Sequence, residues 1–289
     1  MIRTVLLAAA LAATAPAMAA AKAAPKAAAV APEPGPPTAA DWRTPDPDNI
    51  LVIDTNKGRV LVEMSPEVAP AHVARVKALT RTGFYDGRSF FRVIDAFMAQ
   101  TGDPKDDGTG GSTMPDLEPE FSFRRGASTP AVMVDVGAVA EMGFLGALPF
   151  RSQSWMLAPM TADGAVSAYP LFCPGVAAAA RAQAENSANS QFFLMRQNYP
   201  ALEKRYTAWG RAIFGLDVIR AIKVGEPVAA PQDKMTKVRV MSDMPAAERP
   251  KIRVIDPHSA WFKAEVDNVR GEMGANFTPC SIRIPVEVK

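Results

Sequence analysis

The sequence predicts a mainly β protein with a closed antiparallel architecture, and three observations carry that prediction. Short runs rich in Val, Ile, Leu and Phe recur between turn residues from about 50 to 241, and only two helical stretches interrupt them. Many short strands with few covering helices favour a sheet that curls onto itself, because closure removes unpaired edges. The chain has 289 residues, 48% apolar and 21% charged, which is a globular composition long enough for one large or two small domains.

Composition also excludes several functions. Thirty-two Lys and Arg against 30 Asp and Glu give a formal net charge of +2, so there is no concentrated cationic face for nucleic acid. Two His (His72 and His258) and two Cys, far apart, do not make the close-spaced ligand set of most zinc sites. No Gly-x-Ser-x-Gly elbow supports a serine hydrolase. No cofactor is expected.

Taken in order, residues 1–19 read as a secretory signal: Arg3, a short apolar stretch, then Ala17-Met18-Ala19 as a small-x-small cleavage site. The apolar run is too short to span a bilayer, so no membrane span is expected after cleavage. Residues 20–40 are dominated by Ala and Pro and read as a disordered linker, with nothing large to bury. The main domain is assigned to 41–245. Segments 50–54 and 59–64 flank Asn56-Lys57-Gly58 as a hairpin. Pro66 and Pro70 introduce a helix whose Val73, Val76 and Leu79 form one stripe, and Gly83 ends it. Further strands are expected at 89–94, 97–101, 176–180, 191–195, 208–214 and 237–241, with a short helix at 216–222 closed by Gly225. Alternation along 89–94 puts Arg92 on one face with Phe90 and Ile94, opposite Phe91 and Val93. Residues 129–172 lack a clean period and read as an insertion. Residues 246–289 form a C-terminal extension packed on the domain, with a helix near 259–270 burying Trp261, Phe262, Val266 and Val269.

Two segments carry chemistry. One runs from Phe90 through Arg92, Phe97, Met98 and Gln100 to Asp103; the other is Ser190-Gln191-Phe192-Phe193. An Arg among large apolar groups ordinarily snorkels or pairs with an acid; at the rim of an apolar pocket its hydrogen bonds are strengthened instead. In this order the segments resemble the cyclophilin family of peptidyl-prolyl isomerases, whose Phe-His-Arg-Val-Ile-Pro-Gly-Phe-Met-x-Gln-Gly-Gly-Asp run matches 90–103. Its Phe-Tyr-Asp-Gly and Ser-Gln-Phe-Phe stand intact at 84–87 and 190–193, its Gly-Thr-Gly-Gly at 108–111, and its acidic-Phe step at Glu120-Phe121. The resemblance covers about 49–243 and implies an eight-stranded antiparallel β-barrel capped by two helices.

The resemblance further implies Arg92 as the catalytic residue and Phe97, Met98, Phe193 and Leu202 as walls of a proline pocket. Gln100, with Gln191 beside it, would hold the substrate backbone, and Ala180 and Arg181 would form the edge that pairs with the peptide. Tyr206 stands where the family has a pocket His, and Ala201 where cyclosporin-sensitive members have Trp, so weak cyclosporin binding is expected. Asp95-Ala96 replaces Pro-Gly and Thr101 replaces the first Gly of Gly-Gly-Asp.

The expected activity is isomerisation of X–Pro bonds in exported, periplasmic proteins, by a monomer whose partners are Pro-containing segments. The alternative is a non-catalytic module that binds such segments. Cys173 and Cys280 would meet an oxidising compartment after export, and either a disulfide between them or two buried thiols fits the sequence.

Overall fold

The computed structural model describes residues 33–289. The predicted signal segment and most of the Ala/Pro linker lie outside the described residues. The strands are β1 (Trp42–Arg43), β2 (Ile50–Thr55) and β3 (Gly58–Met64), then helix α1 (Pro70–Arg81), β4 (Arg92–Ile94) and β5 (Met98–Thr101). Next come β6 (Phe123–Arg125), β7 (Ala131–Val136), β8 (Ala140–Leu145), β9 (Leu148–Gln153) and β10 (Val166–Pro170). The chain continues through β11 (Val176–Ala179), β12 (Phe192–Met195), β13 (Ala208–Phe214), α2 (Leu216–Ala221) and β14 (Met235–Val240). It ends with β15 (Ile252–Ile255), α3 (Ala260–Met273) and β16 (Val286–Val288).

Eight strands form one curled antiparallel sheet, the number the family resemblance implies, in the order β14-β2-β3-β13-β11-β12-β5-β4. Its two edges meet through irregular main-chain pairing. Val93 and Gly225 exchange N–H···O bonds of 2.8 and 2.9 Å, and Phe90 N–H donates to Asp233 O at 2.9 Å. Leu51, Ile53, Val60, Val62, Phe192, Leu194 and Trp209 fill the interior, and α1 (Val73, Val76, Leu79) and α2 (Ile219) close onto the same core. Helix α1 opens with Pro70 and has no side-chain cap of its own at Ala69. Glu120 supplies one from a distant loop, accepting the Ala71 and His72 N–H groups at 3.0 Å each, with His72 Nδ1 2.7 Å from the same carboxylate.

Several expectations need correction. Strand β4 begins only at Arg92, because Phe90 bonds irregularly across the seam; Phe90 therefore lies inside the barrel beside Val93, not on the face of Arg92. Gly225 does not close α2, which ends at Ala221; it stitches the seam instead. The supposed period-free insertion is a separate five-stranded sheet, β6-β10-β9-β8-β7, and it starts at Phe123, ahead of Thr129. The C-terminal extension contributes β15 and β16 to a third sheet, in the order β1-β15-β16, so Trp42 and Arg43 pair with the extension rather than with the barrel. The last linker residues are also fixed, since Trp261 on α3 donates its indole N–H to Gly35 O at 2.6 Å, and Thr38 bonds Asp41. Trp261 is half-buried rather than buried as expected, and its indole N–H, near the surface, is satisfied by the linker backbone.

The added sheet packs on the barrel's outer face. Phe123, Leu145, Leu148 and Phe150 join Met98, Val176, Ala178, Phe193 and Met195 in one apolar layer. Its other face carries Val134 and Phe144 against Phe262, Val266 and Val269 of α3. Cys173 and Cys280 form a disulfide with 5.0 Å between Cα atoms, joining the extension to the end of the added sheet.

Candidate active site

Strand register explains why the chemistry-bearing residues converge. Arg92 lies opposite Gln100, Gln100 opposite Phe193, and Phe193 opposite Ala178. Directly opposed residues of antiparallel strands project from the same face, so this rung places guanidinium, amide and aromatic ring side by side outside the barrel. The neighbouring residues Val93, Ala99, Phe192 and Leu194 point inward to the core.

A directional hydrogen-bond chain fixes the polar part of the rung. Gln191 Nε2 donates to the carbonyls of Gly108 (3.1 Å) and Gly110 (2.8 Å), which leaves its Oε1 as an acceptor. Gln100 Nε2 donates to that oxygen at 2.9 Å, and Gln100 Oε1 then accepts from Arg92 Nη1 at 3.2 Å. Arg92 Nε donates to Glu226 Oε1 at 2.6 Å. Among the described residues Arg92 Nη2 has no acceptor, and the side chain is 37% exposed. The guanidinium is thus held at two corners with a third turned to solvent. The glycine loop that anchors the chain is itself held by buried Asp103, whose carboxylate accepts from the N–H groups of Lys105, Asp107 and Gly108. A Cβ at Gly110 would lie 2.0 Å from Asp103 Oδ1, so the loop closes only on glycine there.

Beside this rung lies an apolar cluster in which Met98, Phe193 and Leu202 are buried and Phe97, Tyr206 and Ala180 half-buried. Phe97, Met98, Phe193, Leu202, Tyr206 and Ala180 all belong to the layer shared with the added sheet. The Phe193 and Tyr206 rings meet edge to face at 5.8 Å. Tyr199 packs on Phe97 with ring centroids 4.4 Å apart, close to Ala201, which is exposed. The Arg181 guanidinium folds over the Tyr206 ring at 4.7 Å and donates to Arg205 O at 3.0 and 3.1 Å. Ala180 N–H is spent on Gln191 O at 2.9 Å. The structure therefore brings Arg92, Gln100, Gln191 and Phe193 together along one rung, with Met98, Phe193 and Leu202 buried in the layer shared with the added sheet and Arg181 folded over Tyr206.

The departures in the 90–103 run have physical accommodations. Asp95 Oδ1 accepts from buried Arg196 at 2.8 Å, while Arg196 also donates to the carbonyls of Ile222 and Arg220. Burial pulls the Arg196 guanidinium below its usual pKa, and Asp95 offsets part of that. Arg196 N–H further holds Phe97 O at 2.8 Å, so the turn that aims Phe97 and Met98 is fixed without Pro-Gly. Thr101 is fully buried on the inward face and donates to Ser89 O at 2.9 Å. Gly102 keeps a φ of +85°, where a Cβ would meet Ser190 O at 2.6 Å.

The family model for "Cyclophilin type peptidyl-prolyl cis-trans isomerase/CLD" matches residues 50–242, about two thirds of the chain. The chain belongs to the cyclophilin-type peptidyl-prolyl cis-trans isomerases. It is 33% identical over 213 residues to a probable peptidyl-prolyl cis-trans isomerase of Brucella suis, covering 68% of this chain and 85% of that one. It is also similar to the crystal structure of cyclophilin AquaCyp293 from Hirschia baltica, with a TM-score of 0.78 and 34% identity over 86% of this chain and 93% of the other. Within this cyclophilin, two site residues were not singled out from sequence. Glu226 is 134 residues from Arg92 and carries no local signal. Tyr199 had one: an aromatic two positions before the Ala that stands at the Trp position.

Proposed function

We propose that this cyclophilin catalyses rotation about X–Pro bonds by donating from Arg92 to the prolyl nitrogen, with the proline ring seated on Phe97, Met98, Phe193 and Leu202. The observation that carries this reading is the tethered guanidinium, fixed by Gln100 and Glu226 on the rung that also carries Phe193, with Nη2 free. The barrier to be lowered is roughly 18–20 kcal/mol and arises from amide resonance. Pyramidalisation of the nitrogen occurs only in the twisted state, so a donor aimed at it stabilises that state above the planar ones. The apolar seat holds the ring while the carbonyl side turns, and it keeps competing water away. With Ala180 N–H occupied, the peptide backbone pairs through Gln100 and the main chain of Arg181.

The substrates are taken to be Pro-containing segments of exported proteins, with the enzyme in the periplasm; the Arg3, apolar and Ala-x-Ala pattern of 1–19 supports export. Among the described residues no helix is long and apolar enough to cross a membrane. Cis/trans isomerisation of an Ala-Pro test peptide, on protein lacking 1–19, tests the mechanism. Wild-type catalysis with a loss of two or more orders of magnitude in Arg92→Ala is expected. Equal rates for the two proteins would leave a binding module. Cell fractionation tests the location, and a cytoplasmic, unprocessed chain would overturn it.

A further inference from the structure

Three parts of the molecule meet around a cavity of about 760 Å³, remote in sequence from the proline site. Strand β13 and helix α2 form one wall, the β8–β9 turn at Ala147 another, and residues 280–284 of the extension the third. Three arginines line it, Arg211, Arg220 and Arg283, against one carboxylate, Asp217.

Among the described residues the arginines make no salt bridge, and the acidic neighbour of Arg283, Glu265, acts on it only at longer range. Arg211 is half-buried, and desolvation pulls its pKa down to about 10. It donates only to two main-chain carbonyls, Pro174 O and Ala147 O, at 3.2 Å each. Arg220 donates Nε to Arg196 O at 3.2 Å, and Arg283 is exposed with no hydrogen-bond acceptor among the described residues. None of the three has a carboxylate within 4.0 Å among those residues, Asp217 included. Residues 1–32 contain no Asp or Glu, so that segment holds no side chain that would neutralise them. A guanidinium stays charged in proteins, and one removed from water without a counter-charge is costly. The remaining wall is aliphatic, with Ile213, Leu216 and Ile284 facing the same space. The volume falls in the range of small-molecule sites, which combine apolar walls with a few placed polar groups.

We infer that this junction cavity is a binding site for an aliphatic monocarboxylate, its carboxylate between Arg211 and Arg283 and its hydrocarbon along Ile213, Leu216 and Ile284. Arginine forks suit a carboxylate through paired N–H donors. The aliphatic walls distinguish this ligand from inorganic phosphate, which has no apolar part to bury.

Calorimetric titration of the full described chain with octanoate, octan-1-ol and inorganic phosphate tests the site. Octanoate is expected to bind saturably, with octanol and phosphate at least tenfold weaker. Arg283→Glu, at an exposed position with no hydrogen bond to lose, should weaken octanoate by about tenfold or more, the worth of a charge-assisted contact, and leave isomerase turnover unchanged. Arg211→Lys keeps the charge, loses the fork and should weaken it as well. No saturable octanoate binding, octanol or phosphate binding as tightly, or an Arg283→Glu protein that matches wild type would each overturn the assignment.

Discussion

Replacing Gln191 by Leu should slow the isomerase without touching the proline pocket. Gln191 contributes no direct contact to Arg92; it orients the Gln100 amide by presenting Oε1 while its Nε2 is consumed by Gly108 and Gly110. Without it, the Gln100 amide is free to turn, and Arg92 Nη1 loses a fixed acceptor at 3.2 Å. A hydrogen bond to a charged group is worth about 1.5–3 kcal/mol when removed outright. This one is long and partly open to water, so about 1–1.5 kcal/mol is a reasonable expectation, roughly a tenfold fall in kcat/KM. Gln100→Leu removes the acceptor itself and should cost about as much or somewhat more. Because both act through one chain, the double variant should be no slower than Gln100→Leu alone. The assay is the Ala-Pro peptide isomerisation, with urea unfolding of each variant to confirm an unchanged fold. A Gln191→Leu enzyme within about twofold of wild type, or losses that multiply in the double variant, would refute the relay.

Three further outcomes follow from the fold and the pocket. Burial alone would raise the Glu120 carboxyl, but hydrogen bonds from the His72 ring and the Ala71 and His72 amides outweigh it and hold it below the usual carboxylate range. Its stabilisation is therefore complete above the ordinary Glu pKa and lost as pH falls through the lowered folded value. Glu120→Ala should cost about 1–2 kcal/mol in urea unfolding at neutral pH, and Glu120→Gln should flatten the acid limb of stability; an unaltered acid limb counts against the cap. Cys173 and Cys280 are 107 residues apart in sequence, so the Cys173→Ala/Cys280→Ala protein should be about 3–5 kcal/mol less stable by loop-closure entropy, and an unchanged urea midpoint would contradict this. Cyclosporin should inhibit weakly, because Ala201 offers neither indole surface nor N–H and Tyr199 already covers Phe97; sub-micromolar inhibition would show otherwise.

The barrel was legible because its strands have one face in the core and their turns carry strong local signals, as at Asn56-Lys57-Gly58. The candidate site was legible because its residues sit in two short ordered runs that strand pairing brings together. The added sheet was not, and the reason is physical. Although β6 and β10 alternate, its middle is buried on both faces, so adjacent Phe144 and Leu145 both lie inside, one against α3 and the other against the barrel. That erases the period-two alternation by which a half-buried strand is read. The seam misled for a related reason: Phe90 pairs with Asp233 rather than with a regular strand neighbour, so alternation could not be extended back from Arg92. Glu226 and the trans cap at Glu120 depend on contacts between distant segments, which no local pattern encodes.

Strand β1 consists of Trp42 and Arg43, and its partners are Ile255 and Val254, themselves backed by residues 286–288 near the end of the chain. A ribosome makes Trp42 long before Val254, Ile255 and β16. The three-stranded sheet is thus completed only after β16 is made, whereas the eight barrel strands end at Val240, leaving Ile50, Val52 and Leu61 on their outer face to be covered later by Ile252, Val254, Ile284, Val286 and Val288. Until β15 is made Trp42 has no strand to pair with, and until β16 follows the other edge of β15 stays open. A chain stopped before β16 would hold all eight barrel strands with an open flank at Ile50, Val52 and Leu61, so translation arrest or C-terminal proteolysis near residue 285 should be read out as exposed aliphatic surface rather than as lost catalysis.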